Sequence, residues 1–190
     1  MQPLKKGERT INASFGGPVI NELGATFPIP LTTVTYAQGI SDRATLFGTL
    51  QGELGAVYGL VMPDSAKRLL PGISIAPVIN VASSVDDSRL WPQLDANAYW
   101  QFGQRNSFVY AGVSNWFELS ARRSHEEPQE NHWIWNPQLG ATLQREKWAY
   151  NLEFKYLAPG FSNQEVVVNY AKPFGDQGAL GAYFSITKKL

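Results

Sequence analysis

From Trp148 to Leu157 the chain alternates in character. Trp148, Tyr150, Leu152, Phe154 and Tyr156 share one side, and Ala149, Asn151, Glu153 and Lys155 share the other. A period of two is that of a β-strand with unlike faces. Similar segments begin at Arg9 (RTINASFG), Leu31 (LTTVTYAQG), Ala44 (ATLFGTLQ), Leu54 (LGAVYGLVM) and Gly72 (GISIAPVINVA). They continue at Leu94 (LDANAYWQF), Ser107 (SFVYAGVSNWFEL), Trp133 (WIWNPQLGATLQ), Trp148 and Gly178 (GALGAYFSIT). Gly, Pro, Asn, Asp and Ser punctuate them, and no stretch reads convincingly as a helix. The pattern predicts an all-β chain.

The connections fall into two length classes that alternate. ISDR, GQRN and REK are short and PDSAKRLLP somewhat longer, whereas PVINELGATFPIP, SSVDDSRLWPQ, SARRSHEEPQENH and APGFSNQEVVVNYAKPFGDQ are long; the tight QGE turn after Leu50 is the exception. Alternating short and long connections put short turns at one end of an up-and-down antiparallel barrel and long loops at the other. The segment VVVNYA, Val166 to Ala171, reads as part of the last long loop. An even count returns both termini to one rim, so about ten strands are expected, with eight as the alternative. Pro77 and Pro137 fall inside strands, where a missing N–H predicts a bulge or a local break in pairing.

Sorting the later strands by face decides which side is the interior. Leu94, Ala96, Ala98, Trp100, Val109, Ala111, Leu139, Ala141, Leu180 and Phe184 share a face without a charge, while the other carries Asp95, Asn97, Tyr99, Asn136, Gln138, Glu153 and Lys155. A sheet facing bulk water would show many Lys and Glu, but this polar face is dominated by Asn, Gln, Ser, Thr, Tyr and Gly. Such residues suit a confined wet lumen in a barrel whose apolar face meets lipid. Trp133 and Trp135 near one end and Phe102 and Trp148 near the other resemble interfacial girdles.

Composition narrows the field. With 190 residues and no break in character, residues 1–190 form one domain by expectation. Sixteen basic residues balance sixteen acidic ones, so nothing suggests a nucleic-acid footprint. The absence of cysteine excludes disulfides and thiolate chemistry. No apolar run approaches the roughly 18 residues of a membrane-spanning helix. The N-terminal MQPLKKGERT lacks the apolar core of a secretory signal, so any such signal is expected to be absent or removed.

The last strand, ALGAYFSI, resembles the C-terminal assembly signal of small bacterial outer-membrane β-barrel proteins, met here by Gly181, Phe184 and Ile186. Ala179 stands where that signal is usually polar, and TKKL follows where many such chains stop. Together with the whole-chain pattern, the resemblance implies a Gram-negative outer-membrane location. It also implies contact with membrane lipids and the outer-membrane assembly machinery, and an envelope or extracellular partner reached through the loops.

Chemistry is sparse. His125 and His132 lie in or beside a polar loop, and neither forms the His-x-Ser pattern of outer-membrane lipid A deacylases. Asp86 and Asp87 with His125 invite comparison with omptin-type proteases, but the chain is short for their extended barrel. No phosphate loop or metal-ligand spacing is present, and no cofactor is expected. The candidate site is the lumen: Asp95, Asn97, Tyr99, Glu118, Asn136, Gln138, Glu153 and Lys155. Asp95, Glu118, Glu153 and Lys155 are expected at one level, with Lys155 neutralising carboxylates in a plug; a cation-attracting vestibule is the alternative. The reading is a non-enzymatic barrel with a structural, interaction or narrow-pore role. Its rivals are a soluble lipocalin-like barrel holding an apolar ligand, and a lipid-modifying or proteolytic membrane enzyme.

Overall fold

The computed structural model describes residues 2–22, 24–63, 70–83, 88–103, 106–120, 128, 130–164 and 168–190. Its strands are β1 (Arg9–Glu22), β2 (Ala25–Pro28), β3 (Leu31–Ser41), β4 (Ala44–Thr49), β5 (Glu53–Val61) and β6 (Gly72–Ser83). They continue as β7 (Ser88–Phe102), β8 (Ser107–Phe117), β9 (Trp133–Gln144), β10 (Trp148–Ser162) and β11 (Gln177–Lys189). Each pairs antiparallel with its sequence neighbour, except that β3 pairs with β1, and β11 returns to pair with β1 from Thr10↔Lys189 to Pro18↔Gly181. The result is a closed ten-stranded barrel; β2 is a four-residue flap paired only with the far end of β1. Both termini lie at the short-turn rim, as an even count requires.

The strands outrun the alternation that announced them. The connection expected after Gly17 is largely the upper part of β1 and its β2 hairpin, β7 begins at Ser88 rather than Leu94, and β10 continues past Ala158 to Ser162. In the upper part of β1 consecutive Val19 and Ile20 are both buried, the first opposite Pro28 of β2 and the second bridged to Tyr170, so the period of two fades while pairing persists. Within the last long connection residues 165–167 lie outside the described set; Tyr170 makes an isolated bridge to Ile20, and Ala171 N donates to Val19 O (2.8 Å).

The two prolines act as breaks without bulges. Pro77 keeps register with Leu94 on β7, while on its β5 side pairing lapses between Gly55↔Val78 and Tyr58↔Ile75 and resumes unshifted. Pro137 keeps register with Val113 on β8, but β9–β10 pairing ends at Lys155↔Gln138, one residue short of it. The missing N–H leaves a seam between the upper ends of β9 and β10. The seam is tied at Ala158, whose N donates to Asn136 Oδ1 (2.8 Å) at a left-handed turn of the backbone (φ 47°).

The outside is apolar. Phe15, Leu46, Leu54, Leu94, Val109, Leu139, Leu152 and Phe184 are all exposed. The inside is rich in polar groups: Ser74, Asp95, Asn97, Ser114 and Asn136 are each at most 3% exposed. This inverts the ordinary distribution of a water-soluble protein.

Candidate functional site

The lumen is built by a recurring cross-strand device. Inward Phe47, Tyr99, Asn97 and Tyr110 face, as register partners on the next strand, Gly55, Gly72, Gly112 and Gly140. A Cβ at Gly55 would lie 2.5 Å from the Phe47 ring, one at Gly140 2.5 Å from the Tyr110 ring, and Gly72 and Gly112 are covered by Tyr99 and Asn97. Each large side chain lies across a position where no other could stand.

Two linings result. On β4, β5 and β6, Phe47, Val57, Ala76 and Val78 form an apolar cluster, with Ala37 of β3 packed against it. From Asn80 near the upper end of β6, and along β7 to β10, the lining hydrogen-bonds. Gln138 Nε2 donates to Asn97 Oδ1 (2.8 Å), Asn80 Nδ2 to Gln93 Oε1 (3.1 Å), and Gln93 Nε2 to Asp95 Oδ1 (2.8 Å). Tyr110 OH reaches Glu153 Oε2 (2.6 Å) and lies 3.3 Å from Asn151 Oδ1, which also accepts from Thr142 Oγ1 (3.0 Å). Asn136 Nδ2 donates to Ser114 O (3.3 Å). Tyr99 is fully buried and meets Phe108 edge-on, its ring centroid 6.0 Å away.

The charged set differs in one member from the sequence expectation. Lys155 Nζ lies 3.3 Å from Glu153 Oε1 and 5.5 Å from the Tyr183 ring centroid, and Asp95 acts on it electrostatically. Glu118 is not with them. β8 ends at Phe117, where Glu118 N donates to His132 O (2.7 Å) and the Glu118 carboxylate accepts from Ser120 N (3.1 Å), so it belongs to the outer loop. Its place is taken by Glu53 at the start of β5, which interacts electrostatically with both Lys155 and Asp95. Glu53 resembled a turn residue because it follows Gly52; its inward parity with Gly55 and Val57 was the available signal. Three carboxylates and one ammonium thus meet in the lumen.

At the short-turn mouth, the β3–β5 side carries a feature that alternation cannot reveal. Pro3 is buried, Leu4 N donates to inward Thr45 Oγ1 (2.7 Å), Gly7 N donates to Gly39 O (2.8 Å), and Gly39 N returns a bond to Glu8 O (2.9 Å). Inward Gly39 sits against the Lys5 carbonyl, and a Cβ at inward Gly59 would lie 3.1 Å from Pro3 Cγ and 2.6 Å from Met62 Sδ. Residues 3–5 therefore re-enter the barrel against β3, β4 and β5.

Among the described residues no group of three His, Cys, Asp or Glu is placed to hold a metal ion. Asp86, Asp87 and His125 lie outside the described residues, and His132 Nδ1 lies 2.6 Å from Glu118 O.

No family model matches the chain, and no curated protein does. Among solved structures it is similar to a NanC porin (TM-score 0.49, 8% identity, covering 96% of this chain and 100% of that one). It is also similar to the translocator domain of the autotransporter NalP from Neisseria meningitidis (0.45, 10%, 98% and 90%). A third is the outer-membrane protein OprG from Pseudomonas aeruginosa (0.37, 14%, 100% and 99%).

Proposed function

We propose that the chain is a small β-barrel of a Gram-negative outer membrane, non-enzymatic, whose lumen is a plug rather than a wide pore and whose contacts with other envelope components run through its long-loop rim. The observation that carries this reading is the inverted polarity of the closed barrel. Leu54, Leu139 and Leu152 are 67%, 60% and 48% exposed, while Asp95, Asn97 and Asn136 are 3%, 3% and 1% exposed. In water that arrangement exposes a broad apolar belt and hides hydrogen-bonding groups; in a bilayer both choices are favourable. It also weighs against a soluble barrel carrying an apolar ligand, because the interior facing such a ligand would include Glu53, Asp95, Glu153 and Lys155.

The plug reading is supported by the side chains laid over inward glycines and by residues 3–5 in the mouth. Gly181 with outward Phe184 and Ile186 in β11 fits recognition by the assembly machinery. Two measurements test the proposal. The protein should require detergent to remain monodisperse, and in planar bilayers it should be silent or give small, cation-preferring events. A monodisperse detergent-free monomer defeats the membrane assignment, and stable conductance on the scale of a sixteen-stranded porin defeats the plug.

A further inference from the structure

The neutral total conceals an uneven distribution along the barrel axis. At the short-turn rim the described residues carry eight basic side chains against three acidic ones, whereas at the opposite rim Glu22, Glu118, Glu130 and Asp176 outnumber Arg89 and Lys172. Five of the eight, Arg9, Arg145, Lys147, Lys188 and Lys189, form one arc over β9, β10, β11 and β1; the others are Lys5, Lys6 and Arg43. Two of the three acids are engaged by local backbone: Glu8 Oε2 accepts from Lys5 N (3.0 Å) and Asp42 Oδ1 from Lys6 N (3.1 Å).

The arc spans the short β9–β10 turn and the ends of β11 and β1, and backbone bonds tie it to the sheet. Arg145 N donates to Trp148 O (2.7 Å), Lys189 N to Lys147 O (2.9 Å), and Leu190 N to Arg9 O (3.0 Å). Lys188 and Trp148 are register partners on the outward face, and the Lys188 ammonium stands 5.8 Å from the indole centroid. Trp148 is 42% exposed, in line with lipid-facing Tyr150 and Leu152. An aromatic ring at the edge of the apolar belt, with ammonium and guanidinium groups at the same height, occupies the depth of lipid headgroups.

We propose that this arc, centred on Trp148, Lys147 and Lys188, is a binding surface for the phosphodiester headgroups of anionic phospholipids in the leaflet at the short-turn side. Trp148 supplies the apolar seat for the glycerol and upper chain, and Lys147, Lys188 and Arg145 supply donors to the phosphate. A lipid fits better than a soluble anionic polymer, because Lys188 and Trp148 face the side of the barrel and not its open end. Among the described residues, the acidic excess at the opposite rim disfavours anionic headgroups there.

The inference rests on the membrane assignment, and the test separates the two. The purified full chain in neutral detergent is mixed with phosphatidylglycerol or phosphatidylcholine, and retained lipid is counted by native mass spectrometry after folding is verified by circular dichroism. Phosphatidylglycerol should be retained in clear preference, at about fivefold per participating cation. Lys147→Gln with Lys188→Gln should reduce the preference about tenfold or more, while Lys172→Gln at the other rim should leave it intact. Equal retention of the two lipids by the unmodified chain, or an unchanged preference in the double variant, overturns the inference while leaving the membrane assignment standing. Displacement by millimolar inorganic phosphate beyond that by sodium chloride of equal ionic strength would assign the arc to free phosphate and also overturn it. A chain that is monodisperse without detergent would instead remove the membrane assignment beneath it.

Discussion

The two halves of the lumen solve one packing problem by different chemistry. Along β4 to β6, Phe47, Val57, Ala76 and Val78 fill space as an apolar cluster, beside buried Thr45, Ser74 and Asn80 of the same strands. Along β7 to β10 the space is filled by Asn97, Gln138, Asn151, Tyr110 and Glu153, which bond to one another across strands. The apolar wall is tolerant of shape but intolerant of charge, since Val57 packs in the cluster with Phe47, Ala76 and Val78 and its register partner Thr45 offers a hydroxyl but no counter-charge. The polar wall is the reverse: it accepts charge where a partner exists, but each group removed leaves another unsatisfied.

The sharpest way to break this comparison is to put the same kind of group into both walls. Val57→Asp places a carboxylate in a site that is 3% exposed among Phe47 and Val78, and should destabilise the folded barrel by about 4 kcal/mol, the scale of an unpaired buried charge. Gln138→Glu adds a carboxylate opposite Lys155, its register partner on β10, but loses the donor to Asn97 Oδ1, and should cost about 2 kcal/mol, about half of the Val57→Asp loss. Urea unfolding in lipid vesicles measures both. Equal losses would mean that the two walls do not differ electrostatically.

Next in size is a change outside the lumen. Leu152→Arg, on the outward face of β10, should cost about 3 kcal/mol if that face meets hydrocarbon. Asn151→Ser, its inward neighbour, keeps a short polar side chain beside Tyr110 and Thr142 and should be much milder. Similar midpoints for the two in vesicles would mean that outward and inward faces of β10 share one environment. Smaller again is Phe47→Ala, expected to cost about 2 kcal/mol. That lies below the usual range for a buried phenylalanine, because a lumen can admit water into the space vacated over Gly55. Phe47→Leu should lose under about 1.5 kcal/mol, since the apolar wall depends on volume more than on shape.

The difference between the walls also explains what the sequence could reveal. The polar wall was legible because its strands alternate cleanly: Asp95, Asn97 and Tyr99 on one side of β7, Leu94, Ala96 and Ala98 on the other. On β4 and β5, ATLFGT and ELGAVYGLV are apolar on both faces, so periodicity names strands there but cannot say which of Phe47 and Leu46 points inward. Pairing with β3 settles it, by setting Phe47 opposite Ala37. The same ambiguity hid Glu53, whose partners Lys155 and Asp95 come from strands far along the chain. Glu118 was misplaced because parity continues on paper where β8 has already ended at Phe117. Residues 3–5 carry no periodic signal at all; only their contacts with Gly39, Thr45 and Gly59 place them.

The smallest effect is the most diagnostic of the polar wall. Tyr110 is 8% exposed and its hydroxyl, 2.6 Å from Glu153 Oε2, is a hydrogen bond to a carboxylate, a class stronger than neutral pairs. Tyr110→Phe keeps the ring over Gly140 and its tilted contact with Phe108, so packing is preserved and only the hydroxyl is lost. Glu153 retains Lys155 at 3.3 Å, which limits the loss to about 1 kcal/mol. Glu153→Gln should cost more in itself, because it leaves the Lys155 ammonium without its nearest counter-charge. With Gln at 153 the hydroxyl bonds a neutral acceptor, so Tyr110→Phe should then cost less than in the unmodified chain. The double-mutant cycle reads this coupling directly. A coupling of zero would show that the tyrosine contributes only its ring, and that Tyr110 fills space over Gly140 in the same manner as Phe47 over Gly55.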